Sequence, residues 1–281
     1  MLAPVGIDGF CQDYFEQAPL HLPNTGGVGS LFTVAELAGR VGEIPPGVLL
    51  IERDRWDKAT SAEEYLRAGF PLVWSVARGA SVLIDELCAG FGELFAAKVW
   101  PNIYATGPAA TPFDMHFDRH EVIAVQCEGT KTWQISETRV NRPLEGPEMA
   151  DWVAQALHTG RPTAARNIAM QVTTRPGDAL YIPRGQFHHA WAADSVSLHV
   201  TFAIEPTSGY DIVKALANLA INDPTFRDYL PNPHADPNGE RTRYYIQTIQ
   251  AALIELITNG ALTNAINTPH TVDPPAPHPS S

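Results

Sequence analysis

Cysteine is scarce in this sequence, and what there is forms no framework. Cys11, Cys88 and Cys127 are odd in number and widely spaced, with no C-x-x-C pair. That argues against a disulfide scaffold and a cysteine zinc site, and the expectation is reduced thiols in a cytoplasmic protein. Positive charge is scarce too: 19 Lys and Arg stand against 31 Asp and Glu, a net charge of −12. Binding DNA or RNA without sequence preference needs a basic face to displace phosphate counterions, so neither is expected as a partner. The acidic balance suits a basic protein or peptide partner, or simply a well-solvated surface. Long apolar runs are missing, none approaching the roughly 20 residues of a membrane helix. The first residues, MLAPVGIDGF, lack the basic and then apolar order of a secretory signal.

What is present is an ordinary globular composition, 44% hydrophobic, over a length that can bury a large core. Four regions differ in texture. Residues 1–99 mix helix and strand and are expected to pack on the core. DGFCQDYFEQ (8–17) reads as a short helix stopped by Pro19, and Thr33-x-x-Glu36 and Ser61-x-x-Glu64 fit capping boxes. GVLLIERD and GFPLVWSV read as strands, and 81–99 as a helix with residues 82, 83, 87, 91, 94 and 95 on its buried face. Residues 100–205 are short β-rich runs divided by Gly, Pro and Asp turns, the pattern of a sandwich or barrel. Residues 206–265 carry two helical stripes, one through Ile212, Val213, Leu216, Leu219 and Ala220, the other through Tyr245, Ile246, Ile249, Ala252, Leu253 and Leu256. Such stripes need a surface to bury against, a partner subunit being one candidate. Residues 266–281, with five prolines, form a tail expected to be extended or disordered.

The stretch MHFDRHEVIAVQCEGTKTW, Met115 to Trp133, gathers His116, Asp118 and His120 at the mouth of a strand and closes on Lys131. Residues two apart on a strand share a face, so His116 and Asp118 make half a metal site. In GDALYIPRGQFHHAW a strand and a Pro-Arg-Gly turn lead to His188 and His189, and a small barrel can bring one of them alongside. His120 is the alternative ligand, through H-x-D-x-H. Two imidazoles and a carboxylate on one face of a metal are the facial triad of non-haem Fe(II) oxygenases, which leaves positions open for a chelating co-substrate and O2. Against this, a lone H-x-D is common by chance, and a lone hairpin lysine usually faces solvent. Asn102 and Tyr104 share one strand face, as do His199 and Thr201, set opposite Leu198, Val200 and Phe202.

Taken together, HFDRHEVIAVQCEGTKTW, GDALYIPRGQFHHAW and SLHVTFAI resemble the JmjC-type 2-oxoglutarate oxygenases, in particular the ribosomal-oxygenase subgroup of cupin-like protein hydroxylases. FCQDYFEQAPL, YLRAGFPLVWSV, WPNIYATG and the C-terminal helices around NDPTFRDYLP extend the resemblance over about residues 8–260. It implies a mainly β fold with flanking helices: a double-stranded β-helix core of the cupin or JmjC jelly-roll type, followed by a helical dimerisation region. It places the iron ligands on His116, Asp118 and His188, with no ligand role for His189. It also places the distal carboxylate of 2-oxoglutarate on Lys131. An unpaired ammonium inside a barrel is costly, so an anionic ligand gives Lys131 a physical reason to be there. Asn102 and Tyr104 match a segment lining the co-substrate pocket, and Thr201 and His199 are carried as further pocket residues.

The resemblance therefore implies an Fe(II)- and 2-oxoglutarate-dependent dioxygenase that hydroxylates a side chain of a protein or peptide. The target expected is basic, Arg- or His-bearing, and the protein a homodimer through its C-terminal helices. The rival readings are a hydroxylase of a small molecule or RiPP peptide, a cupin metalloenzyme that does not use 2-oxoglutarate, and a non-catalytic dimeric binding protein.

Overall fold

The computed structural model describes residues 2–264 apart from 27–29, 46–47, 52–55, 58, 109–112, 147–148, 193–194 and 261. The proline-rich tail lies outside the described residues. The chain divides into two compact units, Met1–Glu205 and Pro206–Asp273.

The first unit opens with α1 (Ile7–Asp13), β1 (Leu20–Leu22), α2 (Val34–Arg40), β2 (Leu49–Leu50), α3 (Ala62–Arg67), β3 (Leu72–Trp74) and α4 (Val82–Phe95). Then follow β4 (Ala97–Thr106), β5 (Glu121–Glu128), β6 (Lys131–Arg139), α5 (Ala150–Ala164), β7 (Ile168–Thr174), β8 (Ala179–Ile182), β9 (Gln186–Trp191) and β10 (Ser197–Pro206). Seven strands form one sheet in the order β1-β8-β5-β10-β4-β3-β2, and β7-β6-β9 form a second. The first sheet has two different faces because side chains alternate along a strand. Ile103, Ala105, Ile123, Val125, Cys127, Tyr181, Leu198, Val200 and Phe202 fall on one face and join Phe10, Leu37, Tyr65, Leu66, Ile84 and Phe91 of the preceding helices in the main core. Asn102, Tyr104, Thr106, Gln126, His199 and Thr201 have the opposite parity. Beside them Val122, Ala124, Leu180 and Ile182 pack against Trp133 and Ile135 of the second sheet. That is the mainly β, cupin-like JmjC fold: the helices cover one face of the large sheet, and its other face closes a barrel with the small one.

Several local expectations shift. Thr33 and Glu36 close a full capping box on α2. At α3, Ser61 caps the Glu64 amide, but the Glu64 carboxylate turns back to Thr60, accepting from its backbone N–H at 2.7 Å and from its hydroxyl. The helix α1 ends at Asp13, well before Pro19, and Glu16 then takes a left-handed conformation at φ 58°. In α4 the buried residues are Ile84, Cys88 and Phe91, whereas Val82 is 75% exposed, so the apolar stripe is rotated from the one expected. Residues 97–99, expected in this helix, begin β4, after a left-handed turn at Ala96. The helix α5 is absent from the sequence reading altogether.

The second unit contains α6 (Gly209–Ala220), opened by a Ser208–Asp211 capping box, and α7 (Glu240–Thr258). Ile212, Val213, Tyr244, Ile246, Ile254 and Ile257 remain exposed. Among the described residues no helix is long and apolar enough to cross a membrane.

Candidate active site

The two histidines of the candidate triad are joined through their backbones. His116 N–H donates to the His188 carbonyl at 3.0 Å, and His188 N–H returns a bond of 2.7 Å to the His116 carbonyl. This narrow antiparallel bridge sets their side chains together, with ring centroids 4.4 Å apart. Asp118 is tied to the same turn, its carbonyl accepting from Gly185 N–H at 2.7 Å. A left-handed Gly185 (φ 78°) allows that turn, and a Cβ there would lie 2.1 Å from the Val140 carbonyl oxygen. The result is a cluster in which one donor atom each of His116, Asp118 and His188 lies within 4.8 Å of the others.

The histidine tautomers are set by what each Nδ1 meets. His116 Nδ1 lies 2.7 Å from the Asp114 carbonyl oxygen, and His188 Nδ1 lies 3.0 Å from that of Gln186. A carbonyl only accepts, so each Nδ1 carries the proton and each Nε2 is left with its lone pair for a metal. Burial, reinforced by His188, pushes His116 down to about 4, although the Asp118 carboxylate opposes this. From neutral pH down to about 4 His116 therefore stays unprotonated, as a ligand must be.

The structure separates the alternatives that the sequence left open. His189, beside Gln134 in the β6–β9 register, stands on the other face of β9 and its ring meets Trp191. His120 Nδ1 pairs with Glu145 at 3.2 Å, and its ring meets Trp100 edge-on. Burial opposes the charged form of His120, but hydrogen bonding to Glu145 and the nearby carboxylates win, and its pKa rises. Neither residue belongs to the three-donor cluster.

Lys131 is buried rather than solvent-facing. Its Nζ donates to Thr106 Oγ1 at 2.9 Å and sits 5.8 Å from the Trp133 ring. Among the described residues no carboxylate lies within salt-bridge distance of it. Burial alone pushes the ammonium down to about 7. His199 is also enclosed, stacked on Tyr104 with centroids 4.9 Å apart and edge-on to Trp133 at 5.3 Å. Its Nδ1 finds no hydrogen-bond partner among the described residues, and burial, with help from Lys131, keeps the ring neutral. Burial, then the Asp118 charge, pushes the Tyr104 phenol up.

Asn102 is different. Its side-chain oxygen accepts from Val76 N–H at 2.9 Å, supporting a left-handed Val76 (φ 51°). Thr201 Oγ1 lies 3.5 Å from the Asn102 carbonyl oxygen, a weak link between β10 and β4. Thr106 is a pocket residue that no motif marks; its one signal in the sequence is its place two residues beyond Tyr104 on the same strand face. Glu145, equally unmarked in the sequence, takes Arg119 at 2.7 Å and His120 at 3.2 Å and so clamps the two residues after Asp118.

The three donors of His116, Asp118 and His188 could hold a metal ion, and the buried Lys131 lies in the same β-barrel. Residues 74–212 match the JmjC domain family, and this segment is a JmjC domain. The chain is 26% identical over 246 residues to the bifunctional lysine-specific demethylase and histidyl-hydroxylase NO66 of Drosophila persimilis, covering 79% of this chain and 34% of that protein. It is 27% identical over 209 residues to human (Homo sapiens) ribosomal oxygenase 1, covering 68% of this chain and 31% of that one. The chain thus spans about a third of the length of these curated relatives. The solved structure of YcfD, a ribosomal oxygenase from Escherichia coli in complex with cobalt and 2-oxoglutarate, superimposes with a TM-score of 0.62 at 17% identity. The match covers 96% of this chain and 74% of that one.

Proposed function

We propose that this chain is an Fe(II)- and 2-oxoglutarate-dependent oxygenase that hydroxylates an amino-acid side chain of a protein or peptide. The observation that carries the reading is Lys131, an enclosed amine with no carboxylate within salt-bridge distance among the described residues, in the same barrel as the His116, Asp118 and His188 cluster. A cation buried without a partner is costly, and a dicarboxylate that enters the barrel supplies one. The names of the relatives, a histidyl-hydroxylase and ribosomal oxygenases, support a protein target.

The donor set fits iron: two imidazoles and one carboxylate on a single face. The chemistry that iron supplies there, with a keto acid and O2, is oxidation of an unactivated C–H bond. The chain's own residues do the rest. The Asp114 and Gln186 carbonyls fix the two Nε2 lone pairs. Lys131, steadied by Thr106, would pair with the far carboxylate of 2-oxoglutarate, and His199 and Tyr104 would wall that end of the pocket. Trp133, Val122, Ala124 and Leu180 exclude water from the barrel.

The target is proposed to be a basic segment bearing histidine or arginine, in keeping with the net charge of −12. Hydroxylation is proposed over demethylation. The protein is proposed to be cytoplasmic, and a homodimer through the exposed apolar residues of α6 and α7. A histidine- and arginine-bearing basic peptide library, incubated with enzyme, Fe(II), 2-oxoglutarate and O2, tests the activity. The expected product is a peptide heavier by one oxygen atom, formed only with 2-oxoglutarate and greatly reduced in Lys131→Ala. Turnover independent of 2-oxoglutarate would favour other cupin chemistry.

A further inference from the structure

We infer that α5 is a positioning element for the metal centre, acting through the seat that Gly160 gives the Phe187 ring and through Arg161. The inference rests on reading His116, Asp118 and His188 as metal ligands. Each of those residues is adjacent in sequence to a large apolar side chain of opposite parity: Met115 and Phe117 flank His116, Phe117 precedes Asp118, and Phe187 precedes His188. Met115, Phe117 and Phe187 do not enter the barrel. They form a separate buried cluster with Ala164, against which Val153, Ala156 and Leu157 of α5 pack. The helix therefore braces, from behind, both strand segments that carry the candidate ligands.

Two contacts make the brace specific. Phe187 is fully enclosed and meets Phe117 edge to face, with centroids 5.2 Å apart. Its ring lies so close to the helix that a Cβ on Gly160 would be 2.7 Å from Phe187 Cζ and 2.8 Å from Cε2. Only glycine fits there unless the ring moves, and the ring is also packed edge to face against Phe117. One residue on, Arg161 Nε donates to the Met115 carbonyl at 2.8 Å, immediately before His116. A displaced Phe187 shifts the peptide that carries His188, and the backbone bridge couples that peptide to His116. Metal affinity depends on fractions of an ångström in ligand placement, so the brace acts on binding as well as on stability.

The test is Co(II) binding by the apo-protein, read from its visible ligand-field absorption, beside thermal unfolding without metal. Gly160→Ala is expected to weaken Co(II) binding by about tenfold or more. The double variant Gly160→Ala/Phe187→Leu, in which a smaller side chain makes room for the methyl group, is expected to recover most of that loss. Gln155→Gly, on the exposed face of the same helix, is expected to lower the Tm and leave Co(II) affinity unchanged. Arg161→Met removes the Met115 tether from a half-exposed position and should weaken binding several-fold; it decides the matter alone if Gly160→Ala does not fold. Wild-type affinity in both Gly160→Ala and Arg161→Met overturns the inference, as does an equal loss in Gln155→Gly. Failure of the wild type to bind Co(II) overturns the metal-centre reading itself, and the inference with it.

Discussion

Lys131 Nζ donates to Thr106 Oγ1 at 2.9 Å, and this bond joins the small sheet to the large one across the barrel. A hydroxyl is a neutral partner and leaves the ammonium charge uncompensated. In the unfolded chain this group titrates near 10.5, and burial in the folded barrel brings it down to about 7. Between those values the folded state holds fewer protons, so stability falls as pH drops from 10.5 towards 7 and stays level below. Lys131→Met, similar in shape and uncharged, is expected to be more stable than wild type near neutral pH by a few kcal/mol, on the order of the shift itself. Thermal unfolding at several pH values checks this: the advantage should shrink as pH approaches 10.5. A variant less stable at every pH would show that the lysine is compensated.

Binding of 2-oxoglutarate should depend on the same group. The free protein carries a partly neutral Lys131 at pH 7, and a bound dicarboxylate favours its charged form. Above pH 7 each binding event should therefore take up a proton, and affinity should fall, by up to about tenfold per pH unit. Calorimetry in two buffers of different ionisation heat measures the uptake directly. Affinity independent of pH between 7 and 9 would remove Lys131 from the co-substrate site.

The histidine pair makes a sharp internal comparison. His188 joins the three-donor cluster, while His189 faces Trp191 on the opposite side of β9. His188→Ala should weaken metal binding by more than about 100-fold, beyond the range for residues that merely support ligands. His189→Ala should stay close to wild type. Metal titration followed by calorimetry separates the two, and similar losses in both would place the site elsewhere.

In the second unit Val213 on α6 is 59% exposed and Ile254 on α7 is 62% exposed. Side chains of this kind at a subunit interface are buried on association. The proposed homodimer should become monomeric when both are changed to Glu, with the far-ultraviolet dichroism kept. Light scattering gives the mass; an unchanged mass in the double variant would place any interface elsewhere.

Legibility followed the strength of local signals. The alternation of His199 and Thr201 with Leu198, Val200 and Phe202 is a period of two inside a long strand, which sets the polar pair on the face opposite the apolar residues. That this face lines the barrel is not legible in the period and depends on how the two sheets close. The choice between His188 and His189 was not legible from parity alone, because it depends on which face of β9 meets the His116 segment, a long-range pairing. The helix α5 was overlooked for local reasons: its N-cap, Met149, makes no side-chain cap, and Gly160 and Pro162 lie within it. Val153, Ala156 and Leu157 nevertheless carry helical spacing. The stripe of α4 was misplaced because Val82 and Leu83 lie in its first turn, on the solvent side, where apolarity says little about burial. The burial of Lys131 depended on a bond to a strand 25 residues earlier, which no local pattern contains.

The most direct measurement is an anaerobic titration of 2-oxoglutarate into the Fe(II)-loaded protein, following the visible charge-transfer absorption of a keto acid chelated to ferrous iron. The wild type should develop the band at stoichiometric iron. His188→Ala should lose it, and Lys131→Ala should reach it only at far higher 2-oxoglutarate. No band in wild type with iron demonstrably bound, or a band indifferent to Lys131, would contradict the assignment of this barrel to 2-oxoglutarate.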